Sequence, residues 1–234
     1  MGLRSLKTND NGFLLVDVSY VVHTIAFRAL NNYTMEIDSI PDDKEELWKI
    51  DFTKNPEYMG IFNKSFVGSL NNFLNQYRIS KDRMIFALDC KKSNIWRIDY
   101  FKDYKLHRMA PEKKGMNRGP LFGYVKEKLL PVLEARGFGK SFAHPCAEGD
   151  DIIAISKEYV RSHDPNNPIV VIGSDEDLMQ LIDQDCIVTT MQDVPLSEKT
   201  RGNAQKDLLY KILKGDTSDG IPGVFKKTKG DKEP

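Results

Sequence analysis

The sequence predicts an α/β fold with a mainly parallel central sheet and helices on both faces. Two patterns carry this prediction: short apolar runs rich in strand-forming residues, and longer stretches in which apolar residues recur every three or four positions. The two patterns alternate along the 234 residues, as they do in strand–helix–strand units. With 40% apolar and 29% charged residues, the composition is typical of a soluble globular protein large enough for a substantial core.

Five short runs are predicted to form the strands of the sheet. Most of them are apolar and only a few residues long, as expected for strands that are buried on both faces. They span Phe13 to Val18, Met84 to Asp89, Ser141 to His144, Ile169 to Ser174 and Cys186 to Met191.

The helices are predicted from apolar periodicity and from residues that favour helix ends. They are a helix capped by Ser19 that runs toward Leu30, Ile61 to Tyr77, Leu121 to Arg136 with Gly137 as its stop, Glu148 to Val160, a short helix ending near Leu181, and Ala204 to Lys214 before Gly215. Residues 31–58 lose the period and gain acidic residues. They are predicted to be a solvated insertion with one helical turn near Glu45 to Ile50.

Acidic residues stand where several predicted strands stop, and others open the helix at Glu148. Carboxyl ends of parallel strands share one edge of a sheet, so these side chains should meet there. Each acid alone could be a helix cap or a complement to the helix dipole. Taken together, the acids would form a buried set of carboxylates, which needs compensating positive charge. Mg²⁺ prefers such oxygen ligands, and so many acids could hold two ions. The predicted metal ligands are Asp17, Asp89, Glu148, Asp150, Asp151, Asp175, Asp177, Asp216 and Asp219.

Residues 91–118 interleave basic residues with aromatic ones. The bases are Lys91, Lys92, Arg97, Lys102, Lys105, Arg108, Lys113, Lys114 and Arg118, and the aromatics are Trp96, Tyr100, Phe101 and Tyr104. Phosphate contacts and base stacking hold a single strand without reading its sequence, which favours nucleic-acid binding. The alternative is a solvated basic loop whose aromatics pack on the core. A net charge of +0 gives no global attraction, although it can hide local segregation of charge.

The remaining features narrow the cellular context. Cys90, Cys146 and Cys186 have no spacing typical of a zinc site or a disulfide framework, and the four histidines form no evident ligand set. No apolar run reaches the roughly 20 residues that span a bilayer, and the first 11 residues lack the apolar core of a signal peptide. We therefore expect no membrane association and a cytoplasmic protein, which would be a monomer.

The order of the acidic and basic motifs along the chain resembles that in the 5′ nucleases of the flap endonuclease superfamily, especially the bacteriophage RNase H and phage flap endonuclease branch. The resemblance covers about residues 13 to 224. The matching residues are Leu15-Val16-Asp17, Ala87-Leu88-Asp89, Trp96-Arg97, Tyr104-Lys105, Arg108, Glu148-Gly149-Asp150-Asp151, Ser174-Asp175-Glu176-Asp177 and Lys214-Gly215-Asp216-Thr217-Ser218-Asp219.

The resemblance implies a PIN-like 5′-nuclease fold and a Mg²⁺-dependent 5′ to 3′ exonuclease and flap endonuclease with RNase H-type primer removal, with Mn²⁺ as a substitute. Its substrates would be DNA and RNA/DNA hybrids with 5′ ends or flaps, during phage replication in a bacterial host cytoplasm. It implies that Asp17, Asp89, Glu148 and Asp150 hold a first metal and that the other five acids surround a second. Residues 91–118 would form a mobile arch in which Lys105 and Arg108, beside Tyr104, contact the scissile phosphate.

The chain departs from the pattern beyond Val224, where members of the superfamily continue into a helix-hairpin-helix region that grips the duplex. We therefore expect a catalytic domain over residues 1–224, a truncated helix-hairpin-helix region, a basic tail over 225–234, and weaker duplex binding. A single-stranded DNA-binding protein or a separate C-terminal fragment would be a candidate partner. Two alternatives remain open: a PIN-like ribonuclease, and a non-catalytic nucleic-acid scaffold that needs a partner.

Overall fold

The structure is a computed structural model that describes residues 11–36, 49–108 and 116–224. Its centre is a five-stranded sheet in the order β3-β2-β1-β4-β5, and every neighbouring pair is parallel. The strands are β1 (Phe13–Asp17), β2 (Met84–Leu88), β3 (Lys140–Ala143), β4 (Ile169–Ile172) and β5 (Cys186–Thr189). The chain builds outward from β1 on one side and then on the other, so the carboxyl end of β1 lies at a topological switch point, where sites form in such sheets.

Helices cover both faces of this sheet, which confirms the predicted fold class. The helices are α1 (Val18–Glu36), α2 (Pro56–Tyr77), α3 (Arg97–Tyr100), α4 (Gly119–Tyr124), α5 (Leu130–Ala135), α6 (Gly149–His163) and α7 (Ala204–Lys214). A two-stranded ribbon, β6 (Gly215–Asp216) and β7 (Ile221–Pro222), follows α7. None of the described helices is long and apolar enough to cross a membrane.

The alternation of side chains along β1 explains the two layers of core. Leu14 and Val16 pack with α1, α2, α4 and α5 on one face, whereas Leu15 packs with α6 and a 3₁₀ helix over Glu176–Leu181 on the other. All three side chains are fully buried. A strand that is buried on both faces reads as a continuous apolar run, which is why the sequence predicts it well.

The helix predicted from Leu121 to Arg136 is present with one irregularity. A π turn over Val125–Leu129 joins α4 to α5, and Pro131 lies in the first turn after it. Proline lacks an N–H group and its ring clashes with a carbonyl of the preceding turn, so a widened turn accommodates it. Gly137 then ends the helix with φ +83°, a conformation that favours glycine.

The structure differs from the predicted solvated insertion at both of its ends. Helix α1 continues to Glu36, and Phe52 and Tyr58 are buried in the core. The Tyr58 hydroxyl donates to the Ala26 carbonyl at 3.1 Å, and the Tyr33 and Phe52 rings lie 6.4 Å apart. These contacts join segments that are far apart in the chain, so the local spacing of apolar residues does not predict them. Residues 37–48, with most of the predicted turn, lie outside the described residues.

Ser19 was wrongly predicted as the cap of α1. The helix starts directly after β1, and the Asp17 carboxylate accepts the Tyr20 N–H at 3.0 Å, the bond that a capping side chain makes. Ser19 instead donates its hydroxyl to Asp89.

Candidate metal centre

One pocket gathers acids from four separate parts of the chain at the carboxyl edge of the sheet. Its acidic lining residues are Asp17, Asp89, Glu148, Asp150 and Asp175. Asp17 ends β1, Asp89 follows β2, Glu148 and Asp150 open α6, and Asp175 follows β4. The Gly149 N–H donates to Asp89 Oδ1 at 2.6 Å, which ties the end of β2 to the start of α6. We call these five residues the first acidic group.

Two carboxylates of the first acidic group, Asp17 and Asp150, have raised pKa values. Burial, followed by the charges of Asp89, Asp150 and Asp175, raises the pKa of Asp17 to about 7, against the opposing hydrogen bond from the Tyr20 N–H. Burial also raises the pKa of Asp150 to about 6, although the Arg97 charge opposes it. Perturbed carboxylates in one cleft are typical of a functional site. A divalent cation would stabilise the charged form of these carboxylates, and the oxygen-only donor set fits Mg²⁺ or Mn²⁺.

A second acidic group lies next to the first and consists of Asp177, Asp216 and Asp219. Each of the three offers one carboxylate oxygen, and these oxygens lie within 4.8 Å of one another. Asp150 lines both pockets and so borders both groups. Two neighbouring carboxylate groups are the arrangement that two-metal phosphodiester hydrolysis needs.

The loop after α7 sets the position of Asp216. Gly215 has φ +79°, and a Cβ atom on it would lie 2.3 Å from the Gly223 nitrogen. Only glycine therefore fits this crossing of β6 and β7. Asp216 Oδ1 in turn accepts the Ser218 N–H at 2.8 Å and the Asp219 N–H at 3.2 Å, which folds the loop around the carboxylate.

Lys105 and Tyr104 link the two groups. The Lys105 ammonium lies 2.7 Å from Glu148 Oε1 and 3.6 Å from Asp219 Oδ1. The Tyr104 hydroxyl is within hydrogen-bonding distance of Glu148 Oε2 at 2.8 Å and Asp219 Oδ2 at 3.0 Å. Burial and these carboxylates raise the pKa of Tyr104 far above its ordinary value, so the phenol stays protonated. Tyr104 is only 3% exposed, and its ring is therefore not available for base stacking.

Asp151 lines the pocket of the second acidic group, but its carboxylate is bonded to the basic segment. Its carboxylate accepts hydrogen bonds from Trp96 Nε1 at 3.0 Å, from both Arg97 terminal nitrogens at 2.9 and 2.8 Å, and from the Glu148 N–H at 3.0 Å. Arg97 also contacts Glu148 Oε2 at 3.1 Å. With these donors in place, Asp151 anchors the start of the basic segment to α6.

The other predicted basic residues lie in different surroundings. Lys92 lines the pocket of the first acidic group, Lys91 and Lys102 are exposed, and the Arg118 guanidinium lies 5.5 Å from the centre of the Phe27 ring. Arg108 ends a 3₁₀ helix over Leu106–Arg108. Lys113 and Lys114, and the predicted mobility of the arch with them, fall outside the described residues.

Sequence reasoning missed two polar residues of the site. Ser19 donates to Asp89, and Lys211 bonds to Asp177 and Asp216. Lys211 lies five residues before Asp216 in the chain, and nothing in the sequence distinguishes it from the surface lysines of the same helix.

The sequence matches the family described as 5′-3′ exonuclease, N-terminal resolvase-like domain over residues 53–209, which is more than half of the chain. The chain belongs to this 5′-3′ exonuclease family. Among curated proteins, the family member is 25% identical to a 5′-3′ exonuclease of Mycoplasmopsis pulmonis over 91% of this chain and 61% of that protein. It is 27% identical to the 5′-3′ exonuclease of Mycobacterium tuberculosis over 69% of this chain and 55% of that protein. The chain thus spans roughly half to three fifths of these relatives.

Solved structures of a bacteriophage T5 nuclease share the fold of this exonuclease-family chain. A 5′-exonuclease of phage T5 with bound zinc superimposes with a TM-score of 0.61 at 17% identity, covering 91% of this chain and 70% of that one. The phage T5 flap endonuclease in a pseudo-enzyme–product complex with DNA and metal ions gives a TM-score of 0.59 at 16% identity, covering 94% and 72%. This likeness confirms the PIN-like 5′-nuclease fold.

Proposed function

We propose that this chain is the catalytic domain of a divalent-metal-dependent 5′ nuclease that hydrolyses phosphodiester bonds near the 5′ ends and flaps of DNA and RNA/DNA hybrids. The observation that carries the proposal is the meeting of two carboxylate groups, from segments spread over residues 17–219, beneath the basic side chains of Arg97 and Lys105. Membership of the 5′-3′ exonuclease family supports it, as do the names of the curated relatives.

The residues that would hold the metals follow from the two groups. We assign Asp17, Asp89, Glu148 and Asp150 to a first Mg²⁺, with Asp175 between the groups, and Asp177, Asp216 and Asp219 to a second. When bound, such ions lower the pKa of a water and stabilise the leaving oxygen. Asp151 fits an anchoring role better, because its oxygens already accept several donors.

Lys105 and Tyr104 would act on the phosphate from the basic segment. The Lys105 ammonium lies among the carboxylates, and it can stabilise charge that develops on a phosphate oxygen in the same place. The protonated Tyr104 hydroxyl lies between Glu148 and Asp219, and so it would hold the start of α6 close to the loop that carries Asp219. Arg108 completes the proposed catalytic set by resemblance alone. Lys91, Lys92 and Lys102 would contact the phosphates of the 5′ strand, with primer removal during phage replication as the setting.

The test is hydrolysis of a 5′-labelled flap substrate by the purified chain. We expect cleavage with Mg²⁺ or Mn²⁺, none with EDTA, and a loss of turnover in Asp150→Asn with substrate binding retained, because one repelling charge is gone. Glu158→Gln serves as the control, since it removes a carboxylate from an exposed position of the same helix as Asp150.

Three outcomes would count against the proposal. Cleavage that persists in EDTA rejects the metal mechanism. Hydrolysis of unstructured RNA without a 5′-end requirement favours the ribonuclease alternative, and binding without any cleavage favours the scaffold.

A further inference from the structure

Lys211 places a positive charge inside the second acidic group. Its ammonium lies 2.7 Å from Asp216 Oδ2 and bonds to Asp177 Oδ1 as well. The side chain is 27% exposed and projects from the last turn of α7. It thus occupies space between two of the three carboxylates that we assign to the second metal.

The ammonium group and a divalent ion would compete for the same carboxylates. Mg²⁺ coordinates carboxylates at about 2.0–2.1 Å in a near-octahedral shell, which leaves no room for an N–H donor directed at the same lone pairs. The three carboxylates offer oxygens within 4.8 Å of one another, so an ion bound to all three would lie close to the ammonium that bonds to Asp177 and Asp216, and the two positive charges would repel.

The pKa values of Lys211 and Asp216 are consistent with this close contact. Burial opposes charge on Lys211, yet its hydrogen bonds to Asp177 and Asp216 raise the pKa of the ammonium well above its usual value. Burial also opposes charge on Asp216, yet bonds from Lys211 and Ser218 hold the pKa of that carboxyl at about 2. Its contacts with Asp177 and Asp216 show that the Lys211 ammonium already supplies positive charge to these carboxylates.

We propose that the Lys211 ammonium is an internal stand-in for the second cation, and that it must withdraw before a second divalent ion can bind. Lys211 is thus a positioning residue that lowers the affinity of the second metal. The adjoining polar pocket, which Glu176, Asp207 and Ser218 also line, offers oxygen acceptors to the withdrawn ammonium. This inference rests on the proposed function, because it assumes two metal positions.

The test is a Mn²⁺ titration without nucleic acid, in which electron paramagnetic resonance measures the free ion. Wild type should bind one ion tightly and a second weakly. In Lys211→Met, the second ion should bind at least about tenfold more tightly, since no charge-assisted pair has to be broken, and the first ion should be unaffected. Lys206→Met is the matched control: it removes the same charge from an exposed position of the same helix and should leave both affinities unchanged.

A second measurement covers the case in which Lys211→Met fails to fold. Wild-type protein labelled with ¹³C-lysine reports on the Lys211 Cε resonance, which a Lys211→Arg variant assigns. That resonance should shift only with the second equivalent of Mg²⁺. An unchanged resonance at saturation, or equal second-ion affinity in Lys211→Met and wild type, overturns the inference. If wild type binds no Mn²⁺ at all, the proposed function itself fails.

Discussion

Lys105 has a left-handed backbone conformation, with φ 52°, which is uncommon for a residue with a side chain. Its N–H donates to the Asp219 carbonyl at 2.8 Å, and its ammonium lies between Glu148 and Asp219. The strained conformation thus places the Lys105 ammonium where the two acidic groups meet. Strain that is retained at such a place is typical of functional positions.

Lys105→Ala should lower kcat by about 100- to 1,000-fold, the usual cost of losing a group that stabilises transition-state charge. Substrate affinity should change little, because the contact acts on the reacting phosphate rather than on binding. Single-turnover kinetics and fluorescence anisotropy separate the two quantities. A variant that lost affinity while keeping its single-turnover rate would remove Lys105 from the reaction.

Asp17→Asn should stabilise the metal-free protein at high pH. The pKa of Asp17 is raised from 3.8 to about 7, so the folded state retains a proton that the unfolded chain releases between these values. Stability therefore falls as pH rises through this window, and the penalty persists above it. Asparagine has no charge to desolvate and can still accept the Tyr20 N–H.

Thermal unfolding in EDTA from pH 4 to pH 8 checks this prediction. The unfolding midpoint of Asp17→Asn should exceed that of wild type at pH 8 and approach it near pH 4. Asp99→Asn, at an exposed position, is the control and should follow wild type throughout. A midpoint of Asp17→Asn below that of wild type at pH 8 would contradict the burial of an uncompensated charge.

At the scale of elements, the basic segment is fastened to α6 by its first turn. Arg97 at the start of α3 makes a two-pronged contact with Asp151, 2.8 and 2.9 Å long, and Trp96 bonds to the same carboxylate. The Trp96 N–H also donates from the backbone to the Cys146 carbonyl at 2.9 Å. These bonds hold the entry of the segment beside the first acidic group.

Arg97→Lys should loosen this attachment, because a single ammonium cannot reproduce the fork of the guanidinium. We expect the unfolding midpoint to fall by about 3 °C, the shift that corresponds to roughly 1 kcal/mol in a chain of this size. Limited proteolysis within residues 97–108 should accelerate. Lys102→Ala, which removes an exposed pair of 4.0 Å, should show neither change. Equal proteolysis of both variants would show that Arg97 does not secure the segment.

At the scale of the whole molecule, the parallel sheet brings distant carboxylates together. Asp17, Asp89 and Asp175 come from three adjacent strands, and α6 adds Glu148 and Asp150 at the same edge. Repulsion among these neighbouring carboxylates therefore lowers the stability of the folded state. A cation that binds these carboxylates only in the folded state raises the free energy of unfolding.

Mg²⁺ should raise the free energy of unfolding, by about 2.7 kcal/mol at a concentration 100 times its Kd. Denaturant unfolding at pH 8 with increasing Mg²⁺ measures the effect. The double variant Asp89→Asn/Asp150→Asn should lose most of the gain, because it removes two members of the first acidic group. An equal gain in the double variant would indicate that Mg²⁺ acts elsewhere on the protein.

The sequence by itself determined the α/β class, the five strands, most helix ends and the acids that approach one another. These features have local causes: most strands are short apolar runs, the helices have apolar residues every three or four positions, and carboxylates follow the ends of parallel strands. Only the tertiary structure decided that Asp151 faces Arg97 and Trp96, that Tyr104 is buried, and that Lys211 lies between Asp177 and Asp216. Each of these depends on which side chains meet across long stretches of chain, and a carboxylate or ammonium has the same sequence pattern whichever partner it finds.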